Sequence, residues 1–146
     1  ARSLKLAALQ RMLTPPAVFG DPEGDLLVVG WGSTKGAIEE SVERLRREGQ
    51  KVSSLHLSFM QPMQPGIKEI LQRFRQVITI EANWSDDPQD ELIDETNRRY
   101  SALAMLLRAR YLVDVDCWSE VRGRPIKPGT ICEVLRRRLA QEASRP

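Results

Sequence analysis

The sequence predicts an α/β fold of three layers, with a mostly parallel β-sheet between two layers of helix. Three observations predict it. Strand-like and helix-like segments alternate along most of the chain, a pattern that places helices on both faces of a parallel sheet. One run, Leu26-Leu27-Val28-Val29, is apolar at every position, as a strand covered on both faces should be. The chain has 146 residues, enough for one domain with a substantial core.

Residues 1–16 join a helix-like run (Leu4, Leu6, Leu9, Met12, Leu13) to Thr14-Pro15-Pro16 and read as a lead-in or linker from a preceding domain. There is no initiating Met, so a piece of a longer polypeptide is expected. The domain proper is expected over 17–141, with 142–146 as a tail. Residues 17–20 are short and extended, and an acidic turn fills 21–25. Strand 26–30 runs into Gly30-Trp31-Gly32-Ser33-Thr34-Lys35-Gly36 and a helix over 34–48. Ile38, Val42 and Leu45 mark its buried face, and Glu40/Arg44 and Glu43/Arg47 stand one turn apart on the other. Ser33 or Thr34 is the expected cap, and Gly49 the stop.

Strand 52–59 alternates Leu55, Leu57 and Phe59 with Ser54, His56 and Ser58. Gln61–Pro65 forms a stiff turn. A short helix over 66–75 buries Ile67, Ile70, Leu71 and Phe74, and strand 77–81 follows. Pro88 suits a first helical position, with acidic residues around it and Arg98, Arg99 and Arg108 later, as the helix dipole prefers. A strand over 112–117 and a helix over 129–140 complete the order.

Composition excludes several function classes. Hydrophobic residues at 41% and charged residues at 29% fit a soluble globular domain. A net charge of +2 gives no field for nucleic acid. The run Arg136-Arg137-Arg138 reads as a solvated, cation-favouring helix end. No membrane span or signal peptide is visible, so a cytoplasmic location is expected. Cys117 and Cys132, 15 residues apart, suit neither a metal site nor a disulfide framework and read as small buried hydrophobes.

The glycine turn resembles a phosphate-binding loop but lacks its partners. A dinucleotide site wants an acidic residue about 20 positions on; that region reads His56-Leu57-Ser58-Phe59-Met60. Lys35 precedes the last glycine, so the P-loop pattern fails as well. What remains is a weak anion-site candidate at Gly32, Ser33 and Thr34, where a helix begins. A nucleotide- or CoA-binding domain using Gly30–Gly36 is therefore the alternative function.

The stretch "DLLVVGWGSTKGAIEESVERLRREGQKVSSLHLSFMQPM", then "VITIEAN", with "PPAVFGDPEGD" before and "GRPIKPGTICEVL" after, resembles the C-terminal domain of 2-oxoacid:ferredoxin oxidoreductase alpha subunits, the 2-oxoglutarate type in particular. The resemblance covers roughly 15–140. It implies a fold like the C-terminal domain of transketolase: a five-stranded mixed sheet with one antiparallel edge strand, for which Val18-Phe19 is the candidate. It also implies thiamine-diphosphate-dependent oxidative decarboxylation of a 2-oxoacid to an acyl-CoA, with electrons passing through iron–sulfur clusters to ferredoxin. This chain has no thiamine–magnesium motif, and two cysteines are too few for a [4Fe–4S] cluster. Thiamine diphosphate, magnesium and the clusters are thus expected elsewhere, in the remaining domains of the alpha subunit or in a beta subunit. The implied role here is accessory, an assembly domain with no catalytic residue and no cofactor of its own. The family's Gly-Gln helix opening after Glu81-Ala82-Asn83 is replaced by Ser85-Asp86-Asp87-Pro88-Gln89.

An autonomous enzyme is the weakest reading, because no nucleophile–base pair can be nominated. His56, the one histidine, reads as a hydrogen-bonded strand residue or as a polar group near a ligand edge. Glu81 and Asn83 read as loop anchors and helix caps or as a subunit contact. Trp31, Trp84 and Trp118 fall at turns or strand ends. The loops Gly30–Thr34, Gln61–Pro65 and Ala82–Asp87 are expected on one edge of the sheet, with Trp31, Met63, Glu81, Asn83 and Trp84 as interface candidates.

Overall fold

A strand that is apolar at every position belongs in the middle of a sheet, and Leu26–Val29 lies there. The computed structural model describes residues 5, 8, 12, 14–58, 64–82, 85, 87, 89–120 and 125–144. Five strands, β1 (Val18–Phe19), β2 (Gly24–Trp31), β3 (Val52–Leu57), β4 (Phe74–Glu81) and β5 (Asp116–Ser119), form one sheet in the order β1-β3-β2-β4-β5. Only β1 is antiparallel, setting Val18 opposite Leu55; the other three pairings are parallel. The expected edge strand is therefore present, where it was expected.

Among the described residues, the helices that cover the sheet are α1 (Lys35–Arg47), α2 (Ile67–Leu71), α3 (Ala102–Tyr111) and α4 (Pro128–Ala143). The period-2 pleat of β2 sends Leu26 and Val28 to the core shared with Ile38, Val42, Leu45, Ile131 and Leu135 of α1 and α4. Leu27 and Val29 go to the core shared with Ile67, Leu71, Leu103 and Leu107 of α2 and α3. All four are 0% exposed, and each contributes about 1.5–3 kcal/mol by area. Ser41 ties the two helices of one layer together: its hydroxyl donates to Ala37 O (2.7 Å) within α1 or to Pro128 O (3.0 Å) of α4. Cys117 and Cys132 are free and buried, one in each core.

Several expected elements differ. The helix over 66–75 ends at Leu71, and Phe74 opens β4 instead. Positions 67, 70, 71 and 74 satisfy helical spacing, but Phe74 reaches the same core from a strand. Pro88, the expected first helical position, lies outside the described residues; 89–97 holds turns and no helix, and α3 starts at Ala102. Asp87 accepts from the Gln89 N–H and Asp90 from the Leu92 N–H, both at 2.9 Å. Asp94 accepts from the N–H groups of Thr96 (2.8 Å) and Asn97 (3.1 Å). Short carboxylates that take nearby backbone donors compete with helix, so the acidity read as a helix start is turn chemistry. The strand expected over 112–117 lies at Asp116–Ser119, because pairing with β4 begins only at Asp116 and Leu112 is left-handed, with φ 55°.

Arg136 and Arg137 are exposed, but the run Arg136–Arg138 is not at a helix end. The run lies within α4, which continues to Ala143, past the expected boundary at 141. Arg136 pairs with Glu48 (2.5 Å), and Arg138 pairs with Asp116. The Glu48 carboxyl is held below its ordinary value by the hydrogen bond from Arg136. The helical lead-in of 1–13 lies mostly outside the described residues; Lys5, Ala8 and Met12 are helical and exposed.

Candidate functional site

Parallel strands end on one side of a sheet, and that edge is where α/β folds place ligands and contacts. β2 and β3 finish level, with Trp31 beside Leu57. Gly30 allows a close approach: a Cβ there would meet Ile38 Cδ1 and lie 2.8 Å from Thr34 Oγ1, so those side chains of the following turns would have to shift. Gly32 then reverses the chain at φ 62°, with open space around it. The turn Gly32–Thr34 is a single 3₁₀ turn that runs straight into α1.

The expected cap is not formed. The Thr34 hydroxyl donates to Trp31 O (2.9 Å), and no side chain caps α1. Thr34 is buried, while Gly32 and Ser33 are exposed. Beside them lies a hollow of about 390 Å³ lined by Trp31, Gly32, Ser33, Thr34, Leu57, Ser58 and Ala82. The described edges of the Gly30–Thr34 and Ala82 loops thus meet, as expected. The hollow has no cationic side chain in its described lining. Lys35 instead lines a cavity of about 420 Å³ between α1 and β1. A phosphate here would meet backbone and three hydroxyl residues, Ser33, Thr34 and Ser58, with no basic partner among the described lining.

The interface candidates separate. Trp31 is half-buried, packed against the α2/α3 core while bordering the hollow. Met63, Asn83 and Trp84 lie outside the described residues. Glu81 does not reach the surface: it is 0% exposed. Its Oε1 accepts from the Leu103 N–H (2.8 Å), and its Oε2 accepts from Thr79 Oγ1 (2.9 Å) and from Ser101 Oγ. It serves α3, whose first turn has no acidic residue of its own. Ser101 before an apolar run was the one sequence sign of that helix start.

His56 pairs with Gly30 at the same end of the sheet. Its Nδ1 is buried and has no hydrogen-bond partner among the described residues. His56 lines the α1/β1 cavity with Lys35 and Glu39. Burial pushes the imidazole below the ordinary histidine value; Lys35 pushes the same way and Glu39 opposes.

Sequence reasoning missed the arrangement at the β5 edge. Arg98 bonds Asp116 (2.7 Å), Arg108 bonds Asp114 (2.6 Å), and both guanidiniums lie 4.4 Å from the Tyr100 ring centre. These contacts hold 89–100 to the sheet without a helix. Trp118 sits on β5, half-buried against the α1/α4 core. No group of three His, Cys, Asp or Glu side chains suited to a metal occurs among the described residues. Nor is any described helix long and apolar enough to cross a membrane.

Residues 24–128 match the family model "Pyruvate:ferredoxin oxidoreductase core domain II". The chain is 33% identical over 139 residues to 2-oxoglutarate oxidoreductase subunit KorA of Mycobacterium tuberculosis, covering 94% of this chain and 19% of that one. It therefore spans about a fifth of that relative's length. Among solved structures, 2-oxoglutarate:ferredoxin oxidoreductase from Magnetococcus marinus, with 2-oxoglutarate, coenzyme A and succinyl-CoA bound, superposes with a TM-score of 0.72 at 23% identity, over 90% of this chain and 21% of that one. A split-gene transketolase, an inactive beta4 tetramer, superposes at 0.56 and 17% identity, over 86% and 42%. At these identities the superpositions establish the fold, and it is transketolase-like.

Proposed function

The chain belongs to the pyruvate:ferredoxin oxidoreductase core domain II family, and from that premise we propose that it is an assembly domain of a 2-oxoacid:ferredoxin oxidoreductase alpha subunit. The oxoacid is 2-oxoglutarate, by similarity to the mycobacterial KorA subunit. The whole enzyme would decarboxylate it oxidatively to an acyl-CoA and pass electrons to ferredoxin. Thiamine diphosphate, magnesium and iron–sulfur clusters would be held by the other domains of the alpha subunit and by a beta subunit, in the cytoplasm. Residues 17–141 form the domain in this reading, with 1–16 leading in and the last residues as a tail.

One observation carries the assembly role. The strand-end edge, where an α/β domain would place a ligand, offers Trp31 and a shallow hollow with no cationic side chain in its described lining. Such an edge suits packing against protein better than holding a phosphate. Trp31, and with it Met63, Asn83 and Trp84 of the adjoining loops, would face the rest of the subunit or its partner. The CoA- or nucleotide-binding alternative loses ground because Lys35 lines a different cavity.

The test is an alpha subunit lacking residues 17–141, co-expressed with its beta subunit. The expected outcome is loss of the assembled complex. A complex that forms and reduces a viologen dye with 2-oxoglutarate and CoA at the wild-type rate would contradict the assembly role.

A further inference from the structure

We propose that the outer face of α3 is covered, in the full-length alpha subunit, by an amphipathic helix from another domain of the same polypeptide. The inference rests on reading this chain as one domain of such a subunit. The exposed sides of the other helices carry charge: Glu40, Glu43 and Arg47 on α1, Lys68 on α2, and Glu133 and Arg137 on α4. That is the pattern of a helix with one side in the core and the other in water.

α3 departs from it. Its inner side, Leu103, Ala104 and Leu107, is 0% exposed. Its outer side is apolar as well: Ala102, Met105, Ala109 and the cap residue Leu112 are all exposed. Their spacing of three, four and three residues sets them on one stripe of the helix. Met105 is 54% exposed and Leu112 87%. Single apolar residues scattered on a surface are ordinary, but a helix that is apolar on opposite sides is built to be buried on both. The backbone adds a second sign. Leu112 closes the helix at φ 55° and ψ 37°, a conformation that suits glycine and strains leucine. With its side chain in solvent, packing inside this domain does not offset that strain; a contact from outside would.

The stripe also selects its occupant. Ala102 and Ala109 form one edge, low enough to admit a second helix closely, and Met105 and Leu112 form the other. Another copy of α3 fits poorly. The helix carries Arg108 and Arg110 and no acidic residue, and Asp114, the carboxylate paired with Arg108, lies beyond its end. Two such helices face to face would bring like charges together. A helix whose apolar stripe is flanked by Asp or Glu would instead meet Arg110. The chain covers 19% of the mycobacterial relative, so most of a subunit of that length lies outside this domain and can supply the helix.

The test places a photo-cross-linking benzophenone amino acid at position 112 of the alpha subunit in the assembled enzyme, with the same group at position 43 on α1 as the control. The products are read by mass spectrometry of the cross-linked peptides. Position 112 should join a helical segment of the alpha subunit outside residues 17–141, in at least about tenfold higher yield than position 43, because only the former lies in van der Waals contact with another domain. The proposal is overturned by any of three results: a yield from position 112 no higher than that from position 43, a product joined to the beta subunit or to a second alpha subunit, or products confined to this domain. Deleting the domain reads whether the complex forms, whereas cross-linking reads which segment touches α3, so either reading can fail without the other.

Discussion

β2 and β4 are parallel neighbours that end on the same side of the sheet, yet their ends are built in different ways. After β2 the chain is fixed locally. Gly30 admits α1, Gly32 turns the backbone, and the Thr34 hydroxyl returns to Trp31 O three residues back. After β4 the chain is fixed at a distance. Glu81 reaches 22 residues on to the Leu103 N–H, and Arg98 reaches 18 residues on to Asp116. Between them, 89–97 is held by aspartate-centred turns. A local end tolerates change in its surroundings but not in its glycines. A distant end depends on buried polar partners whose loss nothing nearby can offset.

The largest effect should therefore come from β4. Glu81→Ala removes the acceptor for the Leu103 N–H and for two hydroxyls in a site with no access to water, and should cost about 3 kcal/mol in urea unfolding. Glu81→Gln keeps an acceptor for the amide and should cost less. A Glu81→Ala variant as stable as wild type would abolish the contrast between the two strand ends.

At β2, Gly30→Ala forces a Cβ onto Ile38 and Thr34 and should cost about 2 kcal/mol. The Ile38→Val change removes the Cδ1 that would clash. The double variant should then be less destabilised than the sum of the single changes, by about 1 kcal/mol. Additive costs would show that strand–helix approach is not what Gly30 provides.

The end of β3 supplies the smallest effect. Burial lowers the His56 value in the folded chain, so between that value and the ordinary one near about 6.5 the unfolded chain binds more protons. Stability from this group is complete above that upper bound and falls as pH drops through the window. Subtracting the pH profile of a His56→Gln variant from that of wild type should isolate this slope; a difference that rises toward low pH would reverse the assigned cause.

The same contrast explains what could be read in advance. β2, the glycine turn and α1 were legible because apolar runs, helical spacing at Ile38, Val42 and Leu45, and glycines act over a few residues. The antiparallel edge strand came from resemblance, since a two-residue strand has no period of its own. The region after β4 was misread where Asp87, Asp90 and Asp94 imitated a helix start, and where Val113 and Val115 imitated a strand that begins four residues later, at Asp116. Its true determinants, Glu81 with Leu103 and Arg98 with Asp116, are pairings that only the folded chain brings together. Trp31's position at the end of β2, beside the glycine turn, was legible from the sequence. The inward commitment of Glu81 was not, because it depends on which neighbours other elements supply.

The assembly role proposed for this domain requires the strand-end edge to be a protein contact surface. Ser33→Arg tests it most directly, because Ser33 is exposed beside Trp31 and a charge there should leave the domain's own stability within about 0.5 kcal/mol. The measurement is the affinity of the full-length alpha subunit carrying this change for its partner, set beside the melting temperature of the domain. An unchanged melt is expected, with assembly weakened at least about tenfold, the cost of placing an unpaired charge in an interface. Wild-type assembly by a Ser33→Arg subunit would contradict it.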